Sequence, residues 1–398
     1  MRNTVRKSVT AAVLAACAVV AGCSTTVAGT PVADPSAVPK PETGSYATTA
    51  RTIGAPSQAD GVSLEGYRMV AAMPYLYDID PALHFQGDVS VGSGKTGAAS
   101  VKNIFGEAAD KAIGGVVEVA AVVGAGSQQQ GAKYDPKVEK REVTIAVLRT
   151  ASDGVAASAV GSSLMAAQKD IFGKDEPAKV ALSIPGYDKA IAYTQAYEGA
   201  GRSTVAFLTY KQYVIGVYGD FSADQIRTYF DKQTKELDGF TPTPLDKVTS
   251  LKLDESGVAT LTLAPSKGSG GYSLPTRQAV PRQTDVSRSV KTFADAGVDV
   301  IGSGGSTVYR ARDAEGAKHV ADEFIAETKG AYAGAESERV TGVPGSTCLT
   351  YATYEGSKDK RTYCVVPVGR YLAEVTTTQH DQATQAIGAA YLILAAQK

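Results

Sequence analysis

Residues 184–199 read IPGYDKAIAYTQAYEG, and residues 343–356 read VPGSTCLTYATYEG. Both segments open with an apolar residue before Pro-Gly and close on Tyr-Glu-Gly. The likeness continues downstream: RSTVAFL from Arg202 leads through a turn to YVIGV from Tyr213, and RTYCVV from Arg361 leads to YLAEV from Tyr371. Upstream, VTIAVLR ending at Arg149 precedes an Ala-rich helical stretch, as STVYR ending at Arg310 does. A chain that carries one pattern twice has to adopt a fold that can be built twice, so two copies of one unit is the economical reading.

Each unit reads as strand, helix, three strands and a closing helix. In the first helix of copy two, Ala317, Ala321, Phe324 and Thr328 form one stripe while Glu315, Lys318 and Asp322 fall elsewhere, so one face should lie on a sheet. Ser222 with Gln225 makes a capping box for the closing helix of copy one, whose Ile226, Tyr229, Phe230 and Leu237 face inward. Strands joined by short polar turns pair as antiparallel hairpins. The class is therefore α+β, with two tandem related domains, each a mainly antiparallel sheet packed against helices. A lead-in precedes each copy; the first contains a helix expected from Asn103 to about Gly124, and the second spans 241–305.

The amino terminus sends this body out of the cytoplasm. Arg2, Arg6 and Lys7 precede a short apolar run and the small residues Ala21 and Gly22, the layout of an export signal too short for a permanent span. The sequence VAGC at 20–23 resembles the bacterial lipobox, in which the cysteine carries diacylglycerol. Cys17 in LAAC fits the same local pattern, but it leaves an apolar run at the lower limit for a signal, so Cys23 is preferred. Residues 24–54 carry Pro31, Pro35, Pro39 and Pro41 among small residues, a composition that cannot bury a core. The expected organisation is a lipoprotein signal peptide at 1–22, a lipid-anchored flexible stalk at 23–59, a first repeat domain at 60–244 and a second at 245–398.

Three of the 40 lysines and arginines leave with the signal, which moves the formal charge from −1 to about −4. No basic face is left for a nucleic acid. Of the four cysteines, Cys17 departs and Cys23 is acylated. Cys348 and Cys364 remain, on strands flanking a polar turn in an oxidising compartment, as expected of a cross-strand disulfide; a pair of buried free thiols is the competing reading.

The lipobox at Cys23, the stretch YDIDPAL from Tyr77, the strand and Ala-rich helix around 149–167 and the Pro185-Gly186 segment together resemble a group of uncharacterised cell-envelope lipoproteins of mycobacteria, nocardiae and rhodococci. That resemblance implies an envelope lipoprotein and offers no catalytic residue to carry over.

The sequence GSGKT at 92–96 looks like the end of a phosphate loop. Such a loop needs a glycine where Val89 stands, and its glycines and serine read as a surface turn, so no nucleotide or other cofactor is expected. Three histidines offer acid-base chemistry. His319 falls on the polar side of its helix, His380 sits in a capping region beside Asp381, and His84 can be partly buried with no nucleophile indicated near it. Neither Gly302–Ser306 nor Gly268–Gly271 has nucleophile-elbow spacing, and Ser357 with Lys360 lies at a hairpin tip. Asp78 and Asp80 before a proline read as a turn, with no metal site.

Twenty tyrosines in a chain without tryptophan crowd the strands of both copies, at Tyr193, Tyr197, Tyr210, Tyr213 and Tyr218 and at Tyr351, Tyr354, Tyr363 and Tyr371. They suit a packed sheet face or an amphipathic groove for glycan or lipid. The expectation is a membrane-anchored, extracytoplasmic, non-enzymatic module binding a cell-wall glycan, a lipid or an envelope protein. A hydrolase or transferase acting on envelope glycans or lipids is the alternative. A tyrosine-lined cleft between the repeats favours binding, whereas a pocket joining His84 to a carboxylate and a hydroxyl favours catalysis.

Overall fold

The computed structural model describes residues 39–129, 132, 135–169, 174–198, 201–265, 270–354 and 356–397. The export signal, Cys17 and Cys23 lie outside the described residues.

The first sheet has seven strands: β1 (Phe85–Gly92), β2 (Val119–Gly126), β3 (Glu142–Arg149), β4 (Val180–Ala181), β5 (Ile191–Tyr197), β6 (Gly201–Tyr210) and β7 (Tyr213–Gly219). Their order is β1-β2-β3-β7-β6-β5-β4, and every neighbouring pair is antiparallel. The second sheet comprises β8 (Tyr272–Pro275), β9 (Val300–Ser303), β10 (Thr307–Arg310), β11 (Glu336–Glu338), β12 (Thr347–Ala352), β13 (Lys360–Val368) and β14 (Tyr371–Thr377). Its order, β8-β9-β10-β14-β13-β12-β11, is that of the first sheet with each strand advanced by seven. All of its pairs are antiparallel too.

Both central strands of the first sheet are apolar on both faces, so neither face can be left to water. Val143, Ile145 and Val147 of β3 pack with α1 (Gln58–Ala71) and α5 (Ala223–Gly239). On the other face, Ala146 and Leu148 meet α2 (Gly94–Phe105), α3 (Glu107–Ile113) and α4 (Asp153–Ala159). The second half repeats the three layers. After the short α6 (Thr276–Ala279), α7 (Val286–Ala296) and α8 (Ala314–Ala331) cover one face, and α9 (His380–Ala395) covers the other. The expected stripe on α8 is present, with Ala317, Ala321 and Phe324 buried. Ser222 and Gln225 cap α5 reciprocally, and Ile226, Tyr229, Phe230 and Leu237 face inward as expected.

Three expectations need correction. The helix placed at 103–124 is α2 and α3 followed by strand β2. Gly106, at φ 85°, breaks the helix in a conformation that side chains rarely adopt, and the valines from Val116 onward favour a strand. The GSGKT segment is no flexible turn: Gly92 ends β1, and Ser93 is the N-cap of α2, its backbone N–H donating to the Thr96 hydroxyl at 3.1 Å. The strand-to-helix context of a phosphate loop is thus present, but only Ser93 separates the two elements. Val89, where the loop would need glycine, is paired with Val123 inside the sheet. Residues 46–53, expected to belong to a flexible stalk, are instead packed. Tyr46 and Ile53 pack against the cores of the second half, the Arg51 backbone N–H donates to the Thr260 carbonyl at 2.9 Å, and its guanidinium bonds Thr262 and the Gly270 carbonyl.

Residues Lys40–Lys398 form one compact unit, and α1 is the reason. Its Val62, Met69 and Val70 belong to the core of the first sheet, whereas Leu64 and Tyr67 belong to that of the second. Between these faces Glu65 is fully buried. Its carboxylate takes Arg149 of β3 at 3.4 Å and the Thr243 backbone N–H at 2.8 Å, and it pairs with Arg68. Arg149 in turn donates to the Thr243 carbonyl at 2.7 Å.

Cys348 and Cys364 stand directly opposite each other on β12 and β13 and are joined by a disulfide. A crosslink over 16 residues restricts the unfolded chain by about 3 kcal/mol. Cys364→Ser, or reduction of the wild type, should lower stability by about that amount in urea titrations, and equal midpoints with and without reductant would contradict it. Arg149→Met strands the Glu65 carboxylate without its strand-borne cation. It should cost about 3–5 kcal/mol, and a loss below about 1 kcal/mol by the same titration would show that Glu65 is satisfied without it.

Candidate binding site

Where the two halves meet, a cleft of about 630 Å³ opens beside the second sheet. Its floor is one sheet face. Side chains alternate along a strand, so Tyr351 of β12, Arg361 and Tyr363 of β13, and Glu374 and Thr376 of β14 point the same way. Tyr351 lies opposite Arg361, and Tyr363 opposite Thr376. One wall is α8, which at helical spacing presents Phe324, Glu327 and Thr328, followed by Tyr332. The opposite wall comes from the first half, as residues 86–89 of β1.

That wall exists because β1 is irregular: its register against β2 shifts between Gln86 and Val89, a bulge that re-aims side chains. Glycine is required on both strands there. A Cβ on Gly87 would come within 2.7 Å of the Gly124 backbone, and one on Gly124 within 2.9 Å of the Asp88 nitrogen. The wall is fastened to the second half by Gln86 N–H donating to the Thr284 carbonyl at 2.9 Å and Val286 N–H to the His84 carbonyl at 2.8 Å.

Two carboxyls dominate the electrostatics. Glu374 lies deep at the floor, where burial raises its pKa and the hydroxyls of Tyr309, Tyr363 and Thr307 pull it partly back. Tyr309 donates to one oxygen at 2.6 Å and Tyr363 to the other at 2.8 Å. Glu327 is less well served: its Oε1 is buried without a hydrogen-bond partner. Burial first, then the negative charge of Asp285, push Glu327 up to about 7 against the pull of Arg288. The rings of Tyr332 and Tyr351 stack with centroids 4.1 Å apart. Burial and the neighbouring Tyr332 raise the Tyr351 phenol to about 12, so it remains a neutral hydroxyl.

A family model described as "Domain of unknown function (DUF7373) N-terminal" matches residues 52–253, and its C-terminal counterpart matches residues 264–397. The chain belongs to this family. No curated protein matches it. Among solved structures, the extracellular domain of PknH from Mycobacterium tuberculosis matches over 48% of this chain and 100% of that one, at 13% identity and a TM-score of 0.28. A superposition that loose defines neither fold nor role.

The residues singled out in the sequence divide clearly. Tyr351 and Tyr363 line the cleft, while Tyr193 and Tyr213 are buried in the first half and Tyr354 stands 62% exposed at the hairpin tip. His84 does meet a carboxylate, with Nδ1 3.0 Å from Asp285 Oδ2. The nearby hydroxyl of Ser287, however, bonds the other oxygen of the same carboxylate at 3.0 Å, and Asp285 caps α7. Imidazole and hydroxyl thus share an acceptor, and the arrangement is a brace for a helix end. His380 bridges Asp381 and Glu338, bonds that raise its pKa and tie α9 to edge strand β11. Asp80 is the ion-pair partner of Arg141 and also accepts from Gln225, so it is more than a turn residue. Among the described residues no group of three or more His, Cys, Asp or Glu is placed to hold a metal ion, and no helix is long and apolar enough to cross a membrane.

Sequence reading passed over Glu327, Glu374 and Tyr332. Glu374 carried a legible signal: in the paired strands YVIGV and YLAEV it stands where copy one has Gly216, a lone carboxyl in an apolar strand. Between its ordinary value of 4.5 and about 7, Glu327 holds a proton in the folded protein that the unfolded chain releases. Stability should therefore fall as pH rises through that window. Glu327→Gln should flatten this slope in denaturant titrations, with Glu374 supplying part of what remains, and an unaltered slope would place the ionisation elsewhere.

Proposed function

We propose that this protein is a lipid-anchored, extracytoplasmic binding or scaffold module of an actinobacterial cell envelope, built from a duplicated α+β unit. The observation that carries the reading is the cleft between the halves, lined by stacked tyrosines and polar groups. The Cys348–Cys364 disulfide supports an oxidising compartment, and the signal with Cys23 supports tethering to the outer face of the cell membrane. The shared strand order of the two sheets supports duplication. Partners in that setting are a cell-wall glycan, a lipid or an envelope protein.

Catalysis on envelope glycans or lipids is the weaker reading, because His84 shares the Asp285 carboxylate with the Ser287 hydroxyl, and His380 bridges two carboxylates at the start of α9. Anchoring is tested first. Cys23→Ala should move the protein from the membrane fraction to the soluble fraction and abolish labelling by a palmitate analogue, and retention of both would refute acylation at that residue. Cys17→Ala should change neither.

A further inference from the structure

Resting on the binding reading above, the inventory of the cleft narrows its occupant. Arg282 and Arg361 offer only donors, whereas the carboxyl oxygens of Glu327 and Asp88 offer acceptors on the two walls, and Gln86 and Gln283 offer both. A cationic ligand would meet two guanidiniums, and an anionic one would meet carboxylates on both walls. A neutral ligand that donates and accepts from adjacent atoms satisfies both sets, and vicinal hydroxyls do this. The stacked Tyr332 and Tyr351 add a flat apolar surface with polar tips. The unpartnered Oε1 of Glu327 is an acceptor whose burial is costly until a donor reaches it. A volume of about 630 Å³ falls within the usual range of about 300–1,000 Å³ for small-molecule sites. The exposed Arg361 and Thr376 at the rim leave room for a chain to continue outward.

We propose that the cleft between the two halves binds a neutral saccharide unit of a longer glycan, with the sugar face against Tyr351 and a ring hydroxyl donating to Glu327. Sites built around a hydroxyl discriminate strongly against analogues that lack it, because the buried partner is left unpaired. Recognition should thus depend on one hydroxyl more than on the others.

The test uses the detergent-solubilised full chain and neutral trisaccharides of glucose, galactose, arabinose and N-acetylglucosamine, titrated by calorimetry, alongside pelleting with purified cell wall. At least one trisaccharide should bind saturably. Tyr351→Ala and Glu327→Gln should each weaken it by about tenfold or more. Tyr351→Phe, which keeps the ring, should retain most of the affinity, and Tyr354→Ala, outside the cleft, should retain all of it. Thermal melts confirm that each variant is folded. Cell-wall pelleting that the cleft variants leave unchanged would overturn the saccharide assignment while leaving the envelope-binding reading intact. Absence of binding to every trisaccharide and to cell wall would overturn both. Saturable binding of inorganic phosphate or of phosphatidylcholine vesicles, lost in Glu327→Gln, would also overturn the assignment by replacing the ligand class.

Discussion

A carboxylate with no access to water has to be met by partners, and Glu65 is met by partners from three parts of the chain. Arg149 comes from the third strand of the first sheet, Arg68 from the next turn of its own helix, and the Thr243 N–H from the segment that crosses to the second half. Arg68 also donates to the Thr241 carbonyl at 3.0 Å and lies over the Phe240 ring. Removing two charges from water costs several kcal/mol per ion, so such a pair specifies an arrangement more than it adds stability. What it specifies is where the crossing segment leaves the first half. Because α1 then gives Leu64 and Tyr67 to the other core, with the Tyr67 and Tyr272 hydroxyls 2.9 Å apart, the angle between the halves follows. The cleft is the space that this angle leaves.

The two halves share a topology and diverge where the cleft is. In the first half, Gly216 of β7 leaves room for the ring of Phe105, which would lie only 2.5 Å from any Cβ there. The face is thereby filled, with Phe105 tilted against Phe207 at 4.9 Å. In the second half the matching position is Glu374, and a phenylalanine cannot be seated on a carboxyl without stranding it. Tyr309 and Tyr363 hold that carboxyl instead, and the space above it stays open. One difference, glycine against glutamate at matching places in a β-strand, marks a packed face in one half and a lined cavity in the other.

Periodicity and turn chemistry made much of this legible before any coordinates. The stripe on α8, the cap of α5 and the hairpin holding Cys348 and Cys364 depend on interactions within about twenty residues, and local patterns report such interactions well. Strand β2 is hard to read locally because its alanines suit a helix while its valines suit a strand, and the choice between them is made by neighbours distant in sequence. The cleft was legible only in part. Tyr351 and Tyr363 stood out by type, but Glu327 reads as one more solvated residue of an amphipathic helix. The groups that act on it, Asp285 and Arg288 at the start of α7 and Glu374 of β14, are not near it in sequence. The packing of Tyr46, Arg51 and Ile53 is hidden for a similar reason: they follow a Pro-rich segment, and partners such as Thr262 of Arg51 lie far away in sequence.

The disulfide and the cleft share two strands. Cys348 and Cys364 point toward α9, while one residue along each strand the alternation turns side chains toward α8. A slip of one position between β12 and β13 would turn Tyr351 to the face opposite Arg361 and Tyr363, which β14 holds in register. The hairpin that joins these strands is long and polar at its tip, with Tyr354 exposed, and a turn of that kind fixes register weakly. A covalent bond between residues that are direct partners in the ladder allows one register only. The bridge therefore holds the floor of the cleft from behind, and the tyrosine and arginine that a ligand would meet keep their places through a sulfur link that faces away from it.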